Sequence, residues 1–264
     1  GERPMTIRYL DPPLHEFLES PRALDVEIAK LEATGGDKAL IAEKRMLMEQ
    51  IDGMSEANPM LGLRGCRLGI VYPILPVMQV RAIATACAEL QKEGLNPKPE
   101  IMIPLVSVVA ELEKLRKVAE DTIAEVAAEQ GVELDIPVGT MIELPRAAVT
   151  ADEIGAVADF FSFGTNDLTQ TTFGFSRDDV EAEFVPQYLA ERLLPYNPFA
   201  TIDPGVAKLV EMGVELGHKG NPDLVCGVCG EHGGDPDSVK MFHTIGLDYV
   251  SCSPYRVPLA RLAA

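Results

Sequence analysis

The sequence predicts an α/β fold and, within that class, a (β/α)8 TIM barrel. Short apolar runs alternate with amphipathic helical segments along the 264 residues, which is typical of a parallel sheet. Polar residues follow several different strands rather than a single switch point, and this distribution favours a barrel over a doubly wound sheet. Neither G-x-G-x-x-G nor G-x-x-x-x-G-K-[ST] occurs, which removes the usual phosphate loops of doubly wound proteins. We treat residues 1–264 as one domain.

Seven segments have the character of buried strands, because they are short, largely apolar and bounded by turn residues. They span residues 5–10, 62–68, 101–106, 136–143, 160–164, 224–229 and 249–252. A closed barrel needs eight strands, so either one strand is miscounted or one is missing. The strands that end near Arg8 and in 249–252 would then have unpaired edges.

Helix signals lie between these strands. Asp203-Pro204, Asp235-Pro236 and Ser253-Pro254 each place an N-cap residue before a proline, and Thr150 with Glu153 fits a capping box. Residues 21–58 depart from the strand–helix rhythm. Their apolar residues recur at helical spacing on both sides of a Gly-Gly pair at 35–36, which predicts a helical hairpin inserted after the first visible strand.

The charge balance excludes several classes of partner. There are 41 acidic and 23 basic residues, a net charge of −18, which disfavours nucleic acid and anionic membrane surfaces. No run of 18 apolar residues predicts a membrane span, and no secretory signal pattern is visible. Five cysteines are too few for a disulfide scaffold, so we expect a reducing, cytoplasmic setting.

Glu143 and Asp167 are the first candidate functional residues. Each follows a predicted strand, and the two strands are consecutive, so their carboxylates should meet at one mouth of the barrel. Together with water and a substrate oxygen they would suit Mg²⁺. The alternative is structural: Asp167 would cap the following helix and Glu143 would pair with Arg146. The pattern favours neither interpretation.

Arg8 and Arg64 stand in otherwise apolar segments that we predict as strands. A guanidinium in such a place usually holds a planar or tetrahedral anion, which indicates phosphate or carboxylate binding. The alternative is an ion pair with a carboxylate such as Asp11.

Cys226 and Cys229 begin the densest cluster of reactive side chains, which continues through Glu231 and His232. A zinc site would need two further ligands at matching spacing, and the sequence supplies none. Cys229, at a strand end, is a candidate proton donor, whereas Cys226 is expected to be a small buried side chain. His232 is at most a neighbour of the site.

Six segments resemble the pyruvate, phosphate dikinase family of phosphoenolpyruvate (PEP)-utilising enzymes. They are TIRYLDPPLHEF (6–17), NPMLGLRGCRL (58–68), GTMIELPRAA (139–148), FFSFGTNDLTQ (160–170), TFGFSRDD (172–179) and CGEHGGDP (229–236). The family usually has a histidine where Leu63 stands and a glutamate where Ile74 stands.

The resemblance implies a C-terminal PEP- and pyruvate-binding barrel that transfers a phosphoryl group to and from the enolate of pyruvate. By the resemblance, Glu143 and Asp167 would hold Mg²⁺, and Gly164, Thr165 and Asn166 would bind the substrate carboxylate. Arg8 and Arg64 would bind the phosphoryl group. Cys229 would transfer the proton, with Ser162 and Tyr249 beside it.

The resemblance also implies that the first barrel strand precedes Gly1, and that further partners lie outside the sequence. In the family, a phosphohistidine domain and an ATP-grasp domain of the same protein complete the reaction, and the protein is a homodimer. Two alternatives remain open: a catalytically incomplete ligand-binding or dimerisation module, and the equivalent barrel of a phosphoenolpyruvate synthase or an enzyme I of the sugar phosphotransferase system.

Overall fold

Six parallel strands form one sheet in the computed structural model, which describes residues 3–13, 20–54 and 56–264. The end of the TIRYLDPPLHEF segment lies outside the described residues. The strands are β1 (Pro4–Arg8), β2 (Lys98–Ile103), β3 (Val138–Ile142), β4 (Phe160–Gly164), β5 (Val225–Cys229) and β6 (Tyr249–Val250).

The strands pair strictly in chain order, and the sheet curls so that one face becomes concave. Within the described residues β1 and β6 are the two edges, as predicted. Inward-facing Met102, Met141 and Phe160, from β2, β3 and β4, pack together with Cys229 of β5 on the concave side. The predicted α/β class and parallel sheet are therefore confirmed, as a curled sheet of six strands over the described ranges.

The strand predicted over residues 62–68 is wrong. A 3-10 turn occupies Pro59–Leu61, and a helix, α3, runs from Gly65 to Val71, with Arg64 at its N-cap. Gly65 has a φ of 57°, and a Cβ there would lie 2.8 Å from the Cβ of Leu105, so the chain turns tightly against the end of β2. Arg64 consequently reaches the site from a helix start rather than from a strand.

The remaining helices surround the sheet or extend from it. The predicted hairpin is present as α1 (Pro21–Ala33) and α2 (Lys38–Met54), which pack together on either side of the Gly-Gly break. The other helices are α4 (Ile74–Lys92), α5 (Val109–Gln130), α6 (Pro145–Val149), α7 (Ala151–Gly155), α8 (Thr165–Phe173), α9 (Arg177–Val180), α10 (Val185–Ala190), α11 (Pro204–Gly220), α12 (Pro236–Ile245) and α13 (Val257–Ala263).

Two of the four predicted side-chain caps are confirmed, and Ser253 precedes the 3-10 turn Pro254–Arg256 without forming a side-chain cap. Asp203 accepts hydrogen bonds from the first amides of α11, and Asp235 accepts one from the amide of Ser238 in α12. Thr150 does not form the predicted capping box, because it ends α6 and its hydroxyl donates backwards to the carbonyl oxygen of Arg146.

The main core lies between the convex face of the sheet and the helices. Ile103 of β2, Phe161 and Phe163 of β4 and Val228 of β5 point outward and are fully buried. Alternate residues point the other way, so each strand sends one set of side chains into the core and the other toward the concave face.

Over the described ranges, no individual helix has both the length and the apolar character needed to cross a membrane. Helices α3 and α4 satisfy that requirement only when joined, and they are bent by 107° where they meet.

Candidate active site

A cavity of about 260 Å³ opens at the carboxyl ends of β1 to β5. Parallel strands of a barrel-like sheet bring side chains from distant parts of the chain together at this end. The lining residues are Arg8, Met102, Met141, Glu143, Gly164, Asn166, Asp167, Cys229 and Gly230. Six of the ten predicted site residues are among them. The other four lie behind the lining residues; they are Arg64, Ser162, Thr165 and Tyr249.

Glu143 follows β3 and is only 1% exposed. One carboxylate oxygen accepts a hydrogen bond of 2.6 Å from the amide of Leu105. Burial raises the pKa of Glu143 well above its usual value, and the negative charges of Asp167 and Asp11 raise it further. The predicted alternative, a pair with Arg146, is wrong, since Arg146 donates to the carbonyl oxygen of Ser107.

Asp167 lies in the first turn of α8 and shares a buried guanidinium with Asp11. Arg64 contacts both carboxylates: Nη2 lies 2.5 Å from Oδ2 of Asp11 and 3.0 Å from Oδ2 of Asp167. Its side chain is 5% exposed. Although burial opposes it, hydrogen bonding to Asp11 and the charge of Asp167 raise the pKa of Arg64 above its usual value. The structure therefore contains the ion pair between Arg64 and Asp11 that was the alternative prediction from the sequence.

Arg8, at the end of β1, also contacts Asp11, through Nη1 and Oδ2 at 2.9 Å. Its side chain remains 41% exposed and lines the cavity, so it is free to contact a bound anion as well. Asp11 thus supports both predicted arginines from one position.

Cys229 ends β5 and is partly buried at the cavity wall. Burial raises the pKa of its thiol to about 11, while hydrogen bonding with Ser162 acts in the opposite direction. In the structure the Cys229 thiol donates to the carbonyl oxygen of Phe163 at 3.7 Å. Burial also raises the pKa of Tyr249 to about 12, and Ser162 acts on this group too in the lowering direction. Ser162 therefore influences the pKa of both Cys229 and Tyr249, and at neutral pH the thiol carries its proton. Cys226, as predicted, is fully buried on the convex side.

Gly164, Thr165 and Asn166 connect β4 to α8. A Cβ on Gly164 would lie 2.6 Å from an oxygen of Glu143, so glycine is required for the Glu143 carboxylate to occupy its place. Asn166 faces the cavity, and its Oδ1 accepts from the amide of Glu231 at 3.2 Å. Thr165 is fully buried and contacts His232.

The charges around the cavity fit a divalent cation. Three carboxylates, Asp11, Glu143 and Asp167, lie around one buried guanidinium, and the charges of the two aspartates add to burial in raising the pKa of Glu143. Across the described residues, no group of three or more His, Cys, Asp or Glu side chains is arranged to hold a metal ion alone. Two carboxylate ligands leave coordination positions for substrate oxygens and water, which is how Mg²⁺ is usually bound.

Sequence reasoning missed three contributors to the site as such. Met102 and Met141 form its apolar wall, and only their period-two spacing from Glu100 and Glu143 indicates that they face inward. Asp11 was considered only as an ion-pair partner, although it supports both arginines.

The model of one protein family, described as the PEP-binding domain of PEP-utilising enzymes, matches residues 1–264. The chain is 54% identical over 262 residues to the chloroplastic pyruvate, phosphate dikinase of Flaveria bidentis, covering 99% of this chain and 27% of that protein. It is 50% identical over 264 residues to the pyruvate, phosphate dikinase of Clostridium symbiosum, with 99% and 29% covered.

Among solved structures, a citrate lyase from Burkholderia xenovorans LB400 aligns with a TM-score of 0.48 and 17% identity, covering 71% of this chain and 53% of that one. The chain spans less than a third of the length of each of the two dikinases, from Flaveria bidentis and Clostridium symbiosum.

Proposed function

The chain belongs to the PEP-utilising enzymes, in which it is the PEP-binding domain, and on that basis we propose that it is the PEP- and pyruvate-binding catalytic domain of a pyruvate, phosphate dikinase. In this role it transfers a phosphoryl group between a phosphohistidine on another domain and the enolate of pyruvate. The observation that carries the proposal is the single cavity lined by Arg8, Glu143, Asn166, Asp167 and Cys229. The dikinase names of relatives at 50–54% identity favour this enzyme over a phosphoenolpyruvate synthase or an enzyme I.

The roles of the side chains follow from their charge and position. Glu143 and Asp167 would hold Mg²⁺, which when bound supplies positive charge to an enolate oxygen. Asn166, with the backbone of Gly164 and Thr165, binds the substrate carboxylate. Arg8, the more exposed arginine, contacts the transferring phosphoryl group, since its guanidinium matches phosphate oxygens.

Arg64 has a different part in the proposal. Its buried guanidinium is already bonded to two carboxylates, so it contributes positive potential at the phosphoryl site while holding Asp167 in place. An oriented charge of this kind stabilises negative charge that develops during reaction.

Cys229 moves the proton. Its thiol is protonated at neutral pH because burial raises its pKa to about 11, so it can donate a proton to the methylene carbon of the enolate and form pyruvate. Ser162 and Tyr249 lie close to the sulfur: Ser162 lowers the pKa of the thiol, and the charge of Cys229 raises the pKa of Tyr249. The methionine side chains 102 and 141 exclude water from the carbon that is protonated.

The complete barrel is also part of the proposal. A parallel sheet in chain order with side chains from β1 to β5 around one cavity is the inner wall of a (β/α)8 barrel. Burial raises the pKa of Tyr249 on β6, and the charge of Glu100 on β2 raises it further. The side chains of β2 and β6 are therefore close enough to interact, which supports a sheet that curves toward closure. Two further strands would close the barrel.

The proposed partners lie on the longer protein. The relatives are more than three times as long as this chain, which leaves room for the phosphohistidine and ATP-grasp domains. Homodimers and a cytoplasmic location, or another reducing compartment, complete the proposal, and all five cysteines are free thiols.

A titration with Mg²⁺ and oxalate tests the site directly, because oxalate mimics the planar enolate of pyruvate. We expect calorimetry to show one oxalate bound per chain when Mg²⁺ is present and far weaker binding when it is absent. Glu143→Gln should abolish this binding, and Glu153→Gln, the same change on the exposed surface of α7, should leave it intact. Oxalate binding that ignores Mg²⁺ would contradict the proposal.

A further inference from the structure

His232 lies in the 3-10 turn Glu231–Gly234, directly after β5, and its side chain is completely buried. Both ring nitrogens have close partners. Nε2 lies 2.8 Å from the carbonyl oxygen of Pro198, and Nδ1 lies 2.8 Å from the hydroxyl oxygen of Thr165. The ring therefore connects the turn after Cys229, the first residue of α8 and the segment that precedes α11.

The partners determine which nitrogen carries the proton. A carbonyl oxygen can only accept, so Nε2 is the protonated nitrogen. Burial lowers the pKa of His232, which keeps the ring neutral and Nδ1 unprotonated. The Thr165 hydroxyl consequently donates its single proton to Nδ1. Its oxygen also lies 3.3 Å from the carbonyl oxygen of Cys229, but this is the longer of the two contacts.

The same junction is held at a second point. The amide of Glu231 donates to Oδ1 of Asn166, the residue after Thr165. Gly230 directly precedes the two linked residues with a φ of 111°, and a Cβ there would lie 2.8 Å from the Thr165 hydroxyl oxygen. Because a side chain at position 230 would collide with Thr165, the turn that follows Cys229 packs directly against the start of α8.

We infer that His232 is a positioning residue: anchored to Pro198, its neutral ring fixes Thr165 and so sets the placement of the Cys229 thiol relative to Asn166 and Asp167 across the cavity. The ring itself does not line the cavity. The kinetic consequence rests on the proposed function of Cys229 in proton transfer, whereas the geometric part does not.

Two amide substitutions separate the two links of the ring. Asparagine places an amide near the position of Nδ1, and glutamine places one near Nε2. His232→Asn therefore retains an acceptor for Thr165 and loses the bond to Pro198, while His232→Gln retains the donor to Pro198 and loses the acceptor. His243→Gln, on the exposed side of α12, is the matched control.

Two measurements then test the inference on the intact chain. Exchange of pyruvate methyl protons with solvent deuterium, in the presence of Mg²⁺, should fall about tenfold or more in His232→Gln and by less than about threefold in His232→Asn. Alkylation of the ligand-free chain by iodoacetamide, followed by peptide mass spectrometry, should show an altered rate at Cys229 in His232→Gln only. Cys252 serves as the internal reference.

Equal losses in the two variants, or no change in either, would overturn the inference, because a purely structural histidine has no preference between its nitrogens. If both variants unfold, Thr165→Val and Thr165→Ser make the same comparison, and only valine should reproduce the altered alkylation. A wild-type chain that neither exchanges pyruvate protons nor binds oxalate with Mg²⁺ would contradict the proposed function, while the alkylation rates would still decide the role of His232.

Discussion

Arg64 and Asp167 are joined by two hydrogen bonds, from Nη1 to Oδ1 at 3.3 Å and from Nη2 to Oδ2 at 3.0 Å. The carboxylate proposed to hold a metal is therefore also the partner of a buried arginine. Because Arg64 is held on its other side by Asp11, Asp167 is kept in position before any ligand arrives. Several measurable consequences depend on this arrangement.

The first prediction concerns Glu143 and stability. Glu143→Gln should raise the free energy of unfolding of the metal-free chain at pH 7 by an amount on the order of 1–3 kcal/mol, because glutamine keeps an acceptor for Leu105 without a buried charge. Thermal or urea unfolding of the two proteins checks this, and Glu153→Gln should have little effect. A destabilised Glu143→Gln chain would contradict the buried-charge interpretation.

The difference in stability between the wild-type chain and Glu143→Gln should depend on pH, and its sign follows from the pKa of Glu143. The folded chain releases the Glu143 proton at higher pH than the unfolded chain, because burial raises the folded pKa. Between the usual value of 4.5 and the raised value, the folded state binds more protons, so a rise in pH favours unfolding. The stability advantage of Glu143→Gln should therefore grow as pH rises from 4 to 8. A constant difference over that range would contradict this.

Arg64 and Arg8 should respond differently to the same substitution. Arg64→Met leaves two buried carboxylates without their cation and should cost about 3–5 kcal/mol of stability. Arg8→Met breaks a half-exposed pair and should cost about 1 kcal/mol or less. Urea unfolding distinguishes the two, and equal costs would show that the burial of Arg64 has no energetic consequence.

Cys229 and Cys226 should differ in pyruvate proton exchange. Cys229→Ala should reduce the exchange of methyl protons at least about a hundredfold, since the proton donor is lost. Cys226→Ala, on the opposite face of β5, should reduce it by less than about threefold. Nuclear magnetic resonance of deuterium incorporation gives both rates. A larger loss in Cys226→Ala would reverse the assignment.

The isolated chain should not form PEP from ATP. In the proposal the phosphoryl group reaches pyruvate only from a phosphohistidine on another domain, so ATP, phosphate and pyruvate should give no product above background. A coupled assay for PEP checks this, with a full-length dikinase as the positive control. ATP-dependent product from these 264 residues would show that the division of labour is wrong.

Local pattern predicted much of the fold but not every element. The short strands β2 to β5 and the caps at Asp203 and Asp235 were predictable, because burial on both faces and proline after an N-cap leave clear signals. Residues 62–68 were misassigned, since a short apolar run with glycines suits helix and strand alike. The deciding contact, between Gly65 and Leu105, joins residues forty positions apart.

The candidate site, like the fold, could be predicted from the sequence only in part. Glu143, Asn166 and Cys229 were predicted to lie together, because parallel strands bring their carboxyl ends to one side. The role of Asp11 as the shared partner of two arginines was not predictable, since Arg64 reaches it from a helix start that the sequence pattern concealed. Long-range packing, rather than local propensity, determines such contacts.

The strict chain order of the sheet also bears on how the protein is made. Each strand from β2 to β5 pairs only with the strand before it and the strand after it, so every new strand that leaves the ribosome finds its neighbour already present. Domains fold as they are synthesised, and nearby pairing shortens the search for partners. Cys229 and Tyr249 are therefore added last, and the cavity is completed only at the end of translation of this segment.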